Sequence, residues 1–151
     1  MTIFESPESE WRSRMLSVLR IVVALLFIEH GTQKVFGFPP GPLPPFNAMS
    51  EVGIAGLIEM TGGIVLLLGL LTRPVAFLLA GEMAVAYFQQ HLPKSFFPLE
   101  NGGEPAVLFC FIFLYFVFAG AGAWSIDAIL ARARRANQPT LSHDRTYAHP
   151  R

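Results

Sequence analysis

Long runs of apolar residues, separated by short polar or proline-rich segments, dominate the pattern of the chain. Four runs, at about residues 15–36, 52–71, 74–90 and 105–122, approach the ~20 residues that cross a ~30 Å hydrocarbon core as a helix. Only residues 71–73 separate the second run from the third, which predicts a tight turn between antiparallel neighbours. The pattern therefore predicts an all-α membrane protein built as an antiparallel four-helix transmembrane bundle.

The segments between and after these runs carry turn and capping residues. Residues 37–50 contain five prolines, and residues 91–104 contain two prolines with Asn101-Gly102-Gly103, so both are predicted to be loops. Ser125 and Asp127 follow the fourth run, and either could cap a short interfacial helix that carries apolar residues.

Basic residues predict the orientation of the bundle. Of the 11 Lys and Arg residues, Lys34 and Lys94 alone lie on one side, which makes the other side cytoplasmic by the positive-inside rule. Both termini are then cytoplasmic. We divide the chain into a cytoplasmic N-terminal segment, residues 1–14, a transmembrane domain with the interfacial helix, residues 15–136, and a tail, residues 137–151. The tail is polar without an apolar period, which predicts disorder.

Composition agrees with a membrane protein and excludes other classes. The chain is 52% hydrophobic and only 15% charged, and its formal net charge is zero. The lipid bilayer is thus the predicted partner, and no charge excess favours nucleic acid. The first apolar run contains Glu29 and His30 where a cleavable signal peptide needs small residues, so we expect it to be retained.

Ionisable residues inside the apolar runs point to a functional site. Such groups are expensive in hydrocarbon, so they normally face a bundle interior or a wet cavity. At 1.5 Å per residue, Glu29, Glu59 and Glu82 share one layer in the outer half of the bundle. Lys34 stacks with His30 on one face of the first helix, and the amide Gln33 stacks with Glu29. We interpret this layer as a polar pocket.

Two other interpretations of the same residues remain open. Lys34 could neutralise one glutamate as a purely structural ion pair, although such a pair often stabilises no more than the apolar residues that could replace it. A metal site built from Glu29, His30, Glu59 and Glu82 is the second alternative. It is disfavoured because the Glu-x-x-His spacing of carboxylate di-metal bundles is absent from this sequence.

An ordered set of short motifs resembles the DoxX family over roughly residues 16–127. These are Gly31-x-x-Lys34, Glu59-x-x-Gly62-Gly63, the segment from Gly69 to Ala76 through Arg73-Pro74, Asn101-Gly102-Gly103-Glu104, and Gly120-x-Gly122-x-Trp124-Ser125-Ile126-Asp127. The resemblance implies a small multi-pass protein of the bacterial inner membrane with a four-helix fold. Similar proteins are linked to quinone-coupled redox systems, one as a subunit of an archaeal thiosulfate:quinone oxidoreductase, and others to oxidative stress.

The resemblance also adds His91 and Glu104 to the polar positions. The candidate pocket residues are then Glu29, His30, Gln33, Lys34, Glu59, Glu82, His91 and Glu104.

Two functional hypotheses follow. In the first, the outer pocket binds a quinone or a similar small lipophilic redox molecule, and a carboxyl group relays protons. Because the chain offers no electron carrier of its own, a redox partner protein is then needed, and any enzymatic role is that of an accessory subunit of a quinone-linked oxidoreductase. In the second, the protein is a non-catalytic membrane subunit, scaffold or small-solute carrier for a partner enzyme. A homo-oligomer is compatible with both.

Overall fold

The computed structural model describes residues 7–137, with side chains from residue 9 onward, and this part of the chain is helical without β-strands. The first six residues and residues 138–151, which include nearly all of the tail predicted to be disordered, lie outside the described residues. The helices are α1 (Pro7–Phe36), α2 (Glu51–Leu68), α3 (Thr72–Ala86), α4 (Pro98–Asn101), α5 (Glu104–Ala119) and α6 (Ile126–Ala136). A π-helical turn, Tyr87–His91, extends α3.

Two of these helices, α1 and α2, are long and apolar enough to cross a membrane, and α5 is a shorter apolar helix. The all-α class predicted from the sequence is therefore confirmed. The first helix begins at Pro7, well before the predicted start of the span at residue 15. Its polar first turns contain no helix breaker, and Arg14 bonds Glu10 one turn away at 2.9 Å, so the helix continues beyond the apolar segment.

Capping residues set the boundaries of α2 and of the turn that follows it. The hydroxyl of Ser50 accepts a hydrogen bond from the Gly53 amide at 3.1 Å and caps the start of α2. At its end, Gly69 takes a left-handed conformation with φ of 64°, which favours glycine, and its amide bonds the carbonyl of Leu66. This glycine ends the helix at Leu68, three residues before the predicted end of the second span at residue 71.

Ser125 and Asp127 cap two different helices. Ser125 caps α6, because its hydroxyl accepts a hydrogen bond from the Ala128 amide at 3.1 Å. Asp127 instead reaches the start of α3, where its two carboxylate oxygens accept hydrogen bonds from the amides of Leu71 and Thr72, each at 2.9 Å. The short helix predicted after the fourth span thus exists, and its first acidic residue fastens α6 to the α2–α3 turn.

The four longer helices pack in a ring of contacts. Helix α1 packs mainly against α2 and α3 mainly against α5, while α2–α3 and α1–α5 contacts close the ring. Glycines permit the closest approach: a Cβ atom at Gly31 would lie 2.5 Å from the backbone nitrogen of Met60, and one at Gly63 would lie 2.7 Å from Ile28.

Side chains inside the ring form an apolar core, while its outside is also apolar. Phe27, Phe113 and Phe116 are fully buried, and the Phe27 and Phe113 rings meet edge to face at 4.8 Å. Large apolar side chains such as Leu25, Phe77, Leu78, Phe111 and Phe118 lie exposed on the outer surface of the helices. Apolar surface on this scale is unfavourable in water, so it suits contact with lipid.

Candidate functional site

Lys34 and Glu59 form an ion pair, and Glu82 lies within electrostatic range of both; we call these three residues the Lys34 cluster. The Lys34 ammonium bonds Oε1 of Glu59 across the α1–α2 interface. Glu82 on α3 interacts electrostatically with both of them. The cluster therefore draws its residues from three helices and contains one more carboxyl group than it contains ammonium groups.

Glycines of α1 and α2 create the room for this cluster. A Cβ atom at Gly56, three residues before Glu59, would lie 2.7 Å from the Cβ of Lys34. A Cβ atom at Gly62, three residues after Glu59, would lie 2.7 Å from the side chain of Leu79 on α3. Glu59 thus projects from a surface of α2 that two neighbouring helices can approach closely, and it is only 2% exposed.

Several oxygen atoms of the cluster have no hydrogen-bond partner among the described residues. These are Oε2 of Glu59 and both carboxyl oxygens of Glu82, all of which are buried. A buried polar atom without a partner is costly, and in native structures it commonly indicates a role in function or an additional ligand. The three unpartnered carboxyl oxygens therefore make the Lys34 cluster a candidate functional site.

A cavity of about 310 Å³ lies beside Lys34, between the end of α1 and the proline-rich loop. We call it the loop cavity. Lys34 and Gln33 contribute its polar wall, and Phe36, Pro44 and Phe46 are among its apolar lining residues. The side chain of Gln33 is in close contact with the loop, because a Cβ atom at Gly41 would lie 2.7 Å from the Gln33 amide nitrogen. Lys34 thus lies between the loop cavity and the two buried acids.

The other candidates from α1 occupy different positions. His30 is exposed, contacts the Phe109 ring edge to face at 5.7 Å, and interacts electrostatically with Glu59. Glu29 is also exposed, and no hydrogen bond or ion pair links its carboxylate to another described residue. The structure therefore brings His30 near the Lys34 cluster and leaves Glu29 outside it.

His91 and Glu104 belong to a second polar region, around the loop that joins the π-helical turn to α5. His91 stacks on Tyr87, and its Nδ1 lies 3.0 Å from the carbonyl oxygen of Asn101. The buried Asn101 side chain accepts from the Gly103 amide at 2.7 Å and donates to the carbonyl of Ser95 at 2.8 Å. Glu104 is exposed in the first turn of α5. No described hydrogen bond or ion pair joins this region to the Lys34 cluster.

The metal site considered from the sequence was Glu29, His30, Glu59 and Glu82. Within residues 9–137, no group of three or more His, Cys, Asp or Glu side chains is placed to hold a metal ion. Glu59 and Glu82 lie within electrostatic range of each other, while Glu29 is exposed on α1.

Arg20 is a buried charged residue whose role the sequence reasoning missed. Its side chain is fully buried, and its Nε donates to the carbonyl of Ala121 at 2.8 Å. Its terminal nitrogens donate to the carbonyls of Leu66, Leu67 and Trp124. Arg20 therefore binds the end of α2 and the segment after α5. Its position inside the predicted span 15–36 could have indicated this role, since a charge within a membrane span needs polar partners.

Comparisons with known proteins identify the family of this chain. The family model described as DoxX matches residues 15–92. The chain is similar to an uncharacterized protein of Haemophilus influenzae, with 48% identity over 78% of this chain and 92% of the relative. It is also similar to the inner membrane protein YqjF of Escherichia coli, with 31% identity over 75% of this chain and 89% of that protein.

A third relative is the uncharacterized membrane protein Rv3486 of Mycobacterium tuberculosis, with 28% identity over 78% of this chain and 82% of that protein. No solved structure matches the chain. Four residues of the motifs that resemble the family have structural roles here. Gly31 and Gly62 allow close contacts between helices, and Gly69 and Asp127 cap helices. This chain is a membrane protein and belongs to the DoxX family.

Proposed function

We propose that the four longer helices form an antiparallel transmembrane bundle in the bacterial inner membrane, with both termini in the cytoplasm. Residues 15–136 make up this domain, and residues 1–14 precede it on the cytoplasmic side. The apolar outer surface and the membrane-capable helices α1 and α2 support the proposal. The name of the Escherichia coli relative, an inner membrane protein, agrees with it.

The loop cavity is the proposed binding site for the head group of a quinone or a similar small lipophilic redox molecule. The observation that carries this proposal is that Lys34 lines the cavity and also bonds the buried Glu59. A quinone carbonyl oxygen is an acceptor, so the Lys34 ammonium or the Gln33 amide can donate a hydrogen bond to it. Phe36 and Phe46 offer aromatic surface to the ring, and a volume of about 310 Å³ is at the lower end of the range of small-molecule pockets.

The buried acids give this site a route for protons. Reduction of a quinone to a quinol consumes two electrons and two protons. Glu59 contacts Lys34, and Glu82 lies within electrostatic range of both, so the cluster extends from the cavity towards α3. A proton held by a carboxyl group in this cluster can therefore move towards the bound ring. The electrons would come from a redox partner protein or from a cofactor that it holds.

The remaining candidate residues have more distant roles in this proposal. His30 is placed to adjust the electrostatic environment of Glu59 from the outer side of α1. His91 contacts the loop at the start of α5, and the exposed Glu104 and Glu29 are available at the surface for contact with a partner or a second copy of the chain.

The proposal can be tested on the purified protein in mild detergent. We expect extracted lipid from the preparation to contain quinone, and a short-chain quinone to bind the quinone-stripped protein. The variant Lys34→Met/Glu59→Gln removes both partners of the ion pair, so it should fold yet bind quinone at least tenfold more weakly. Lys94→Met is a matched control, because Lys94 is an exposed lysine outside the residues that line the loop cavity.

Unchanged quinone affinity in the folded double variant would exclude the loop cavity as the site. If the wild-type protein binds no quinone and instead retains a partner enzyme through purification, the scaffold or membrane-subunit hypothesis replaces the quinone hypothesis. A solute that is transported into vesicles without redox change would favour the carrier hypothesis.

A further inference from the structure

Helix α6 lies at the opposite end of the ring from the Lys34 cluster, and its residues are strongly sorted by chemistry. At 100° per residue, Ile126, Ile129 and Leu130 share one face. Arg132 and Arg134 lie on the two flanks of that face, on opposite sides. Ile129 is 63% exposed and Leu130 is 45% exposed, so the apolar face is not covered by the described part of the chain. A short helix of this type is suited to lie in the interface of a membrane.

An open groove separates the remaining side of α6 from the first turns of α1. Its volume is about 580 Å³, and Arg14 of α1 and Arg132 and Arg135 of α6 line it together with Glu10, Ser13 and Trp124. The groove is thus built from two segments that are distant in sequence. We call it the arginine groove.

The arginine groove carries an excess of positive charge. Arg14 is partly engaged, because it bonds Glu10 at 2.9 Å and lies over the Trp11 ring at 5.5 Å. Arg132 and Arg135 make no hydrogen bond or ion pair with another described residue. Among the acidic residues of α1 and α6, Glu10 lines the groove, whereas Asp127 is used as the cap of α3. Two guanidinium groups are therefore available for an anion.

The position of the groove identifies the source of that anion. It lies beside the point where α1 passes from polar residues to its apolar segment, next to Trp124, which is 55% exposed. Exposed Trp is typical of the level of lipid head groups, and arginine recognises phosphate by paired hydrogen bonds. The exposed Ile129 and Leu130 on the other side of α6 match lipid chains, which a soluble phosphate compound lacks.

We infer that the arginine groove binds the phosphate head group of an anionic phospholipid from the surrounding membrane. Arg132 and Arg135 contact the phosphate from α6, and Arg14 closes the site from α1. The apolar face of α6 is immersed among the neighbouring acyl chains. The lipid would then bridge α1 and α6, which are otherwise joined at this end mainly through Arg20 and the backbone after α5.

Native mass spectrometry of the full-length protein, with phosphatidylglycerol or phosphatidylcholine added to the detergent, tests the inference. We expect wild-type protein to retain phosphatidylglycerol in clear preference to phosphatidylcholine. In Arg132→Gln/Arg135→Gln, retention should fall roughly 30-fold, because each arginine that contacts the lipid phosphate contributes about fivefold. Arg134→Gln is the matched control, since Arg134 lies on the same helix outside the arginine groove and should change retention less than about twofold.

Three results would overturn the inference. The first is equal retention of the two lipids by wild-type protein. The second is unchanged retention of phosphatidylglycerol in the double variant, provided that its melting curve matches that of wild type. The third is displacement of the lipid by millimolar inorganic phosphate, which would make the groove a site for soluble phosphate compounds.

Discussion

Removing the charge of Lys34 should destabilise the protein more than removing the charge of Glu59, although both belong to the same ion pair. In Lys34→Met, the carboxylate of Glu59 stays at a position that is 2% exposed, and the second acid, Glu82, lies close to it. Breaking a buried pair in this way costs about 3–5 kcal/mol of the free energy of unfolding. In Glu59→Gln, the surviving Lys34 side chain is 22% exposed and lines the loop cavity, so its ammonium can still reach water.

The loss in Glu59→Gln is therefore mainly one hydrogen bond to a charged group, about 1.5–3 kcal/mol. The double variant removes both charges, and replacing both partners of a buried pair by groups of similar volume is often close to neutral. We thus expect wild type and the double variant to be the most stable and close to each other, Glu59→Gln to be less stable, and Lys34→Met to be the least stable. At ~2–4 °C per kcal/mol for a chain of this size, the last of these should melt ~6–20 °C early.

Circular dichroism at 222 nm during thermal unfolding in one detergent measures this order. Lys94→Met is the control for loss of a lysine charge at an exposed position, and it should stay within about 0.5 kcal/mol of wild type. The reasoning is refuted if Glu59→Gln melts at or below the temperature of Lys34→Met. It is also refuted if the double variant loses the sum of the two single losses, because independent sites would then replace the ion pair.

Three further predictions concern packing, the buried arginine and topology. Gly31→Ala should destabilise by about 1–3 kcal/mol, since its Cβ would lie 2.5 Å from backbone of α2, whereas Gly81→Ala meets nothing within 4 Å and should leave the thermal melting temperature unchanged or higher. Arg20→Gln leaves backbone carbonyls at the end of α2 unpaired and should cost at least ~3 kcal/mol in chemical unfolding, against less than about 0.5 kcal/mol for the exposed Arg14→Gln. In a background without the native cysteine, Pro42→Cys should react with a membrane-impermeant maleimide from the periplasmic side, and labelling only from the cytoplasm would contradict the proposed topology.

The apolar runs predicted the existence and order of the long helices, because a period of apolar residues and its breakers depend on local sequence alone. Their ends were predicted less accurately. Helix α2 ends at Gly69, a local signal, because glycine can adopt the left-handed conformation there. Helix α3 starts where Asp127, more than fifty residues later, caps it, and local sequence does not show that contact. The sequence pattern predicted that Ser125 or Asp127 caps the short helix after the fourth span; Ser125 does so, whereas Asp127 caps the start of α3.

The same limit applies to the candidate site. Depth along each helix predicted that Glu29, Glu59 and Glu82 share a layer, with Lys34 and His30 beside them on the first helix. The structure places Glu82 within electrostatic range of the Lys34–Glu59 pair, whereas Glu29 is exposed on α1. Depth does not fix rotation about the helix axis. Glu29 lies one residue before His30, so their side chains point about 100° apart around α1. His30 contacts the Phe109 ring, whereas Glu29 has no such contact among the described residues. The loop cavity was also beyond reach, because it depends on how the proline-rich loop folds over the end of α1.

The two ends of the ring treat a buried charge in opposite ways, and this contrast favours the Lys34 end as the site of function. At one end, each nitrogen of the Arg20 guanidinium donates to a backbone carbonyl, so the charge is fully used in holding helices together. At the other end, both oxygens of Glu82 and one of Glu59 are buried without a partner among the described residues. A satisfied network stabilises and needs nothing more, whereas unsatisfied acceptors are retained only at a cost that a structural role does not explain. Protons, water or a ligand that donates hydrogen bonds would remove that cost, and the loop cavity beside Lys34 is where such a ligand can enter.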